Sequence, residues 1–266
     1  MNCVICQAPA EHFATATFLA KHEAALSRCT GCGFIQAREP YWLQEAYGEA
    51  IKRSDVGLVR RNCRLSTVTG AVITAFFNGE GRFLDYGGGY GLLARMMRDK
   101  GYDFHRWDKH CENLFVRDFE ADDADRDSFA LVTAFEVFEH LTAPLEDIGE
   151  MLRFSRNILF TTELVPDPPP SPDRWWYYGL EHGQHISFYT RKTLAMLAKR
   201  FSLHLCSNGR SLHLLTERPI PSWVFAAISW RPAALVMSSI CKRTSLIDAD
   251  YKLITKKKPG EESSRQ

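Results

Sequence analysis

Arg82-Phe83-Leu84-Asp85-Tyr86-Gly87-Gly88-Gly89-Tyr90-Gly91, followed at once by Leu92-Leu93-Ala94-Arg95-Met96-Met97, is the stretch that decides the fold. Phe83-Leu84 predicts a buried strand, the three consecutive glycines a turn, and Leu92, Leu93, Met96 and Met97 the apolar face of a helix. A simple turn needs one or two glycines. Gly87, Gly89 and Gly91 instead let the backbone approach a ligand closely, while the helix start offers free N–H groups and positive dipole character to an anionic group. The dinucleotide fingerprint G-x-G-x-x-G does not fit, because its third glycine would fall on Leu92. The spacing present is Asp85-x-Gly87-x-Gly89-x-Gly91. Downstream, Tyr102 to Asp108 predicts a second strand ending in an acid, and a carboxylate at a strand's carboxyl end suits a ribose diol.

With 266 residues, 45% of them hydrophobic and 24% charged, the chain can bury a full core and fits one substantial domain plus an appendage. A net charge of +1 speaks against an extended nucleic-acid surface. Cys3 and Cys6 are followed by polar and charged residues where a signal peptide would need an apolar segment, so the expectation is a cytoplasmic protein with reduced cysteines. The apolar stretch from Ile220 to Cys241 is broken by Pro221, Arg231 and Pro232, which predicts a docked helix pair and no transmembrane segment. Peripheral membrane contact through Lys256, Lys257 and Lys258 is the lesser alternative.

Cys3-Val4-Ile5-Cys6 and Cys29-Thr30-Gly31-Cys32 form two C-x2-C pairs whose four sulfurs can converge tetrahedrally on zinc. Four cysteines leave no position for water, so the expected metal is structural. Tyr41, Trp42 and Tyr47 either cover the cleft or join this knuckle to the main body, and Arg53, Asp55 and Arg60 lie on an expected lid. Val68, Val72, Ile73, Phe76 and Phe77 recur at helical spacing.

Phe129 to Ala134 predicts a buried strand, Pro144 opens a helix, and Asn157 to Thr162 gives the next strand. A long proline-rich loop carries Trp175-Trp176-Tyr177-Tyr178 and ends in Glu181-His182-Gly183-Gln184-His185-Ile186-Ser187-Phe188-Tyr189-Thr190, with Thr190 placed to cap a helix. Two short apolar runs then flank Ser207-Asn208-Gly209, a hairpin signal.

The D-x-G-x-G-x-G pattern resembles the first motif of class I S-adenosylmethionine (SAM) dependent methyltransferases, and Phe135-Glu136-Val137-Phe138-Glu139-His140-Leu141 is similar to a stretch of many small-molecule members. Together with the cysteine knuckle and His-Ile-Ser-Phe-Tyr, the order of parts resembles sugar C-methyltransferases with an N-terminal four-cysteine domain. The resemblance implies an α/β fold: a Rossmann-like seven-stranded sheet with an antiparallel last strand, plus the small N-terminal zinc knuckle. It divides the chain into a zinc-binding part at 1–40, a SAM-dependent methyltransferase part at 41–218, and a helical extension with a basic tail at 219–266. It implies cofactor contacts from Asp85, Gly87, Gly89, Gly91, Asp108, Asp118, Phe119, Phe135 and Glu136, with Asp118 and Phe119 at the adenine. It implies an acceptor-side role for His185, which makes it the first candidate base and His182 the second, while Glu139 and His140 are expected to hold a turn. The expected acceptor is a small molecule of sugar or glycan-pathway type. The chain departs from the sugar enzymes in two ways: residues 219–266 are too short for their large C-terminal domain, and their Tyr-x-Glu-His is His182-Gly183-Gln184-His185 here. The competing readings are a zinc-knuckle RNA methyltransferase, for which Lys21, His22 and Arg28 are few basic residues, and a non-catalytic SAM-binding scaffold.

Overall fold

The computed structural model describes residues 1–48 and 55–256, so that Arg53, Lys257 and Lys258 lie outside the described residues. The chain begins with β1 (Ala10–Phe18), β2 (His22–Cys29) and β3 (Ile35–Ala37), then α1 (Leu43–Ala46) and α2 (Leu58–Phe76). Next come β4 (Arg82–Tyr86), α3 (Leu92–Asp99), β5 (Asp103–Trp107), β6 (Phe129–Ala134), α4 (Pro144–Met151) and β7 (Ile158–Thr161). After the aromatic loop follow β8 (Ser187–Phe188), α5 (Arg191–Arg200), β9 (His204–Ser207), β10 (Leu212–Thr216), α6 (Ser222–Ser229), α7 (Arg231–Ile240) and α8 (Ile247–Lys256).

The large sheet runs β5-β4-β6-β7-β10-β9. β5, β4, β6 and β7 are parallel, and β10 is antiparallel to both β7 and β9. Side-chain alternation sorts the core into two layers. Phe83, Leu131, Leu159 and Leu214 pack under α2, α3, α6 and α7, while Leu84, Val132, Ile158, Phe160 and Leu215 pack under α4 and α5. Strands covered on both faces read as nearly continuous apolar runs, which is why β4, β6 and β7 stand out in the sequence. The strand order reverses between β4 and β6, and such a switch point opens a crevice at the strands' carboxyl ends.

Among the described residues this sheet has six strands where seven were expected. The segment after β5 contributes a single parallel bridge, Arg106 to Glu120, in place of a strand. The antiparallel last strand is present as β10, and Asn208 Oδ1 accepts from the N–H groups of Arg210, Ser211 and Leu212 to shape the turn before it.

A second sheet runs β1-β2-β3-β8. Its last strand comes from the loop before α5, with Ile35 opposite Phe188 and Gln36 opposite Ser187, so the cysteine-bearing segment and the histidine loop share one sheet. The helix pair α6 and α7 docks on α2 through the fully buried Phe225 and Ala234. Among the described residues no single helix is long and apolar enough to cross a membrane; only α6 and α7 taken together reach that length, and they are bent by 72°.

Candidate active site

At the end of β4, Asp85 is buried and accepts a 2.8 Å hydrogen bond from Thr133 Oγ1. Burial pushes its carboxyl up to about 7, against that hydrogen bond and the positive charge of Arg106. The loop then turns through left-handed backbone. A side chain at Gly91 (φ 87°) would meet Val116 at 2.7 Å, whereas one at Gly89 (φ 55°) would point into open space. Gly89 therefore presents bare backbone to the crevice, the kind of surface a cofactor can lie against. Its N–H donates to Asp108 Oδ2 at 2.8 Å, and Asp108 Oδ1 accepts from the N–H groups of His110 and Cys111 at 2.8 and 2.9 Å. Asp108 thus braces the glycine loop and keeps a remaining lone pair on Oδ2 for a ribose hydroxyl.

Arg106 went unnoticed in the sequence. It is buried on β5, donating from Nε to Gly89 O at 2.5 Å, from Nη1 to Glu120 Oε1 at 2.5 Å, and from Nη2 to Cys111 O. An arginine in a predicted strand carries no ligand signal by itself, and its target is brought to it only by the turn at Gly89. Phe135 and Glu136 follow β6 on the other side of the loop, where Val137 packs against Gly87. Glu136 N–H donates to Thr161 Oγ1 (2.8 Å), whose hydroxyl donates to Glu136 Oε1 (2.9 Å), and Arg61 Nε lies 3.6 Å from Glu136 Oε2.

Asp118 is exposed. Phe119 is not in the crevice: it is buried, with the Arg98 guanidinium 3.4 Å from its ring centre and His105 at its edge. Its burial with Arg98 on a ring face corrects the expectation that it stacks on adenine.

The histidines sit beyond the carboxyl end of β6. His185 is buried, its Nδ1 donates to Tyr177 O at 2.6 Å, and its Nε2 stands 3.9 Å from Glu139 Oε1. Desolvation, helped by His140 and His182, holds its imidazole well below the usual range, so it is neutral at pH 7. His182 stacks edge-on to it at 4.6 Å and accepts at Nδ1 from Gln184 N–H. Glu139 is fully buried and neither carboxylate oxygen is hydrogen-bonded; the nearby Tyr177 hydroxyl pairs with Thr162 Oγ1 at 3.3 Å. The Glu139 main-chain carbonyl accepts from Ile186 N–H at 2.8 Å, tying this turn to the histidine loop. Burial, with Glu136 nearby, raises its carboxyl well above the ordinary range.

Tyr47 joins the two halves of the site. Its hydroxyl is 3.1 Å from His140 Nδ1 and its ring stacks at 6.3 Å on His110, two residues beyond Asp108. Trp42 is mortar: it is buried, stacks on Phe18 at 4.4 Å and donates from Nε1 to Gly183 O at 2.8 Å.

The four N-terminal cysteines have their sulfurs within 4.8 Å of one another, with Cys3 and Cys32 3.8 Å apart and Cys6 and Cys29 3.3 Å apart. Four thiolates about 2.3 Å from a zinc ion stand about 3.8 Å from each other, so the set fits that ion. N–H groups of Ile5, Gly31 and Cys32 point at Cys3 and Cys29 sulfur, as suits thiolates that carry charge.

A family model described as a methyltransferase domain matches residues 60–207, more than half of the chain. No curated protein matches it. Three solved structures are similar at low identity. TnmH has 17% identity and a TM-score of 0.41 over 68% of this chain and 62% of its own. CalO1, a methyltransferase in calicheamicin biosynthesis with SAH bound, has 15% and 0.38 over 68% and 60%. An O-methyltransferase family 2 protein from Planctomyces limnophilus, complexed with apigenin, has 15% and 0.44 over 67% and 66%. The chain spans less than two thirds of the length of each.

Proposed function

Because the chain belongs to the methyltransferase-domain family, we propose that it is a SAM-dependent enzyme that methylates a hydroxyl of a small acceptor of sugar or sugar-nucleotide type, with His185 taking the proton. The observation that carries the reading is the neutral, buried His185, oriented through Nδ1 and with Nε2 free of hydrogen bonds to protein, beside His140, which Tyr47 links to His110 near the glycine loop.

Gly87, Gly89 and Gly91 offer bare backbone to the cofactor, Asp108 suits its ribose, Asp85 shapes the loop, and Phe135 and Glu136 line the other wall. The cofactor supplies an electrophilic methyl group on a sulfonium. What the protein adds is alignment, exclusion of water and a place for the acceptor's proton. His185 suits that last task because its lone pair is available at neutral pH, and His182 stands behind it as a second acceptor. Tyr47, Tyr177, His140 and His182 give the acceptor side ring faces and polar edges together, a combination that suits a polyhydroxylated ring.

Cys3, Cys6, Cys29 and Cys32 would hold one structural zinc, residues 1–40 forming its domain beside the transferase part at 41–218 and the extension at 219–266. A reducing compartment such as the cytoplasm keeps these thiols available. The test is release of S-adenosylhomocysteine from SAM on mixing the protein with a panel of nucleotide sugars and simple phenols, with the methylated atom located by mass spectrometry. Methylation of phenols with none of the sugars would replace the sugar reading.

A further inference from the structure

Glu139, His140 and His185 each place a ligand atom within 4.8 Å of the other two. The polar groups of this cluster are incompletely partnered. Glu139 is fully buried, neither of its carboxyl oxygens has a hydrogen-bond partner, and Arg61, whose charge reaches it, is engaged by Asp55 and Glu136. A buried carboxyl in that state is free to turn an oxygen toward an ion. The two histidines are arranged as ligands usually are. His185 donates its Nδ1–H to a backbone carbonyl, which leaves the lone pair on Nε2, facing Glu139, and His140 is held at Nδ1 by the Tyr47 hydroxyl.

We propose that Glu139, His140 and His185 form a second metal site, distinct from the cysteine knuckle, that takes a first-row divalent transition cation. Two imidazoles and one carboxylate favour Zn2+, Mn2+, Fe2+ or Co2+ over Mg2+ and Ca2+, which prefer all-oxygen shells. Ligand atoms about 2.1 Å from a tetrahedral ion stand about 3.4 Å apart, so the 3.9 Å between His185 Nε2 and Glu139 Oε1 closes with a small side-chain adjustment. His140 and Tyr47 are partly exposed, and they give the ion a way in.

Three protein ligands leave a coordination position for an oxygen of the acceptor. This use of the site rests on the methyltransferase reading above; binding of the ion does not. With the ion bound, His185 Nε2 would be a ligand and the ion would lower the pKa of a bound acceptor hydroxyl, whose proton would pass to water; His185 takes the proton itself in the metal-free protein.

The experiment equilibrates the full chain with excess Co2+, removes free ion by gel filtration, and measures cobalt plus zinc per chain together with the visible spectrum. The expected result is two ions per chain, one with the intense thiolate charge-transfer band of the knuckle and one with only weak visible bands. Glu139→Gln and, separately, His140→Gln should each bring the total to one while the thiolate band stays. A total of one in the unmodified protein, or of two in both folded variants, would overturn the site. Calorimetric SAM binding on the same samples tells the two ideas apart: cobalt bound without SAM binding would leave the metal site standing and remove the methyltransferase reading, and the reverse would do the opposite.

Discussion

His185 carries the chemistry proposed for the acceptor, and its surroundings give sharp expectations. His185→Gln keeps a donor for Tyr177 O but has no effective base near neutral pH, so turnover should fall by ~100-fold or more while SAM affinity stays within a factor of about two. Turnover near the original rate in steady-state assays would remove His185 from that role. Asp108 holds Gly89, His110 and Cys111 through both oxygens. Asp108→Ala should weaken SAM binding by at least ~1.5–3 kcal/mol, since charge-assisted hydrogen bonds to loop and ribose are lost together. Calorimetry showing unchanged affinity would dismiss Asp108. The glycines and Asp108 are legible in sequence because spacing alone brings them to one strand end. Glu139 and Arg106 are not, because their meaning lies in partners supplied by β8 and by the turn at Gly89.

At the scale of elements, the second sheet couples the cysteine knuckle to the histidine loop. β8 pairs with β3, and the Thr190 and Thr193 hydroxyls both donate to Cys32 O, at 2.6 and 3.0 Å, from the start of α5. Thr190 also accepts from Thr193 N–H as the helix cap, as its position in the sequence predicts. Thr190→Ala should cost about 1 kcal/mol for the lost cap, and more if the bond to Cys32 O is not replaced by water. Denaturant titration with no loss of stability would refute the coupling. Removal of zinc by a chelator should weaken acceptor binding before SAM binding, because the metal segment meets β8 and not the glycine loop. The periodic strands β4, β6 and β7 were readable from their apolar runs. β8 was not, since two residues, Ser187 and Phe188, make no pattern until β3 stands beside them.

For the whole molecule, the C-terminal helices are more than an appendage. Arg98 on α3 is buried and donates to Asp250 of α8 at 2.7 and 2.9 Å, while Arg95 meets the same carboxylate at 2.9 Å. Burial raises the Asp250 carboxyl, but the pairing with Arg98 and Arg95 outweighs it and the net shift is downward. A carboxyl lowered on folding adds stability that is present above its unfolded pKa, about 3.9, and lost as pH falls through its folded value. Acid unfolding of the intact chain should therefore steepen below about pH 4, and Asp250→Ala should flatten that limb. The same variant should lose ~1.5–3 kcal/mol at neutral pH, because Arg98 loses its two hydrogen bonds to Asp250 while keeping those to Asp103 and Phe104 O. The apolar stretch from Ile220 marked a docked helix pair but not α2 as the surface it docks on. The ion pair to α8 was invisible, since an Asp in a charged tail has no pattern to mark it.

Gly89 tests most directly whether the crevice beside the glycine loop holds SAM. A Cβ there meets nothing within 4 Å in the protein itself, so Gly89→Val costs chiefly the strain of a left-handed residue, about 1–2 kcal/mol. Calorimetric titration should show one SAM per chain for the unmodified protein and at least ~10-fold weaker binding for Gly89→Val, which puts three carbons where the cofactor lies. SAM binding of equal strength by the folded variant, or none by the unmodified protein, would contradict the account.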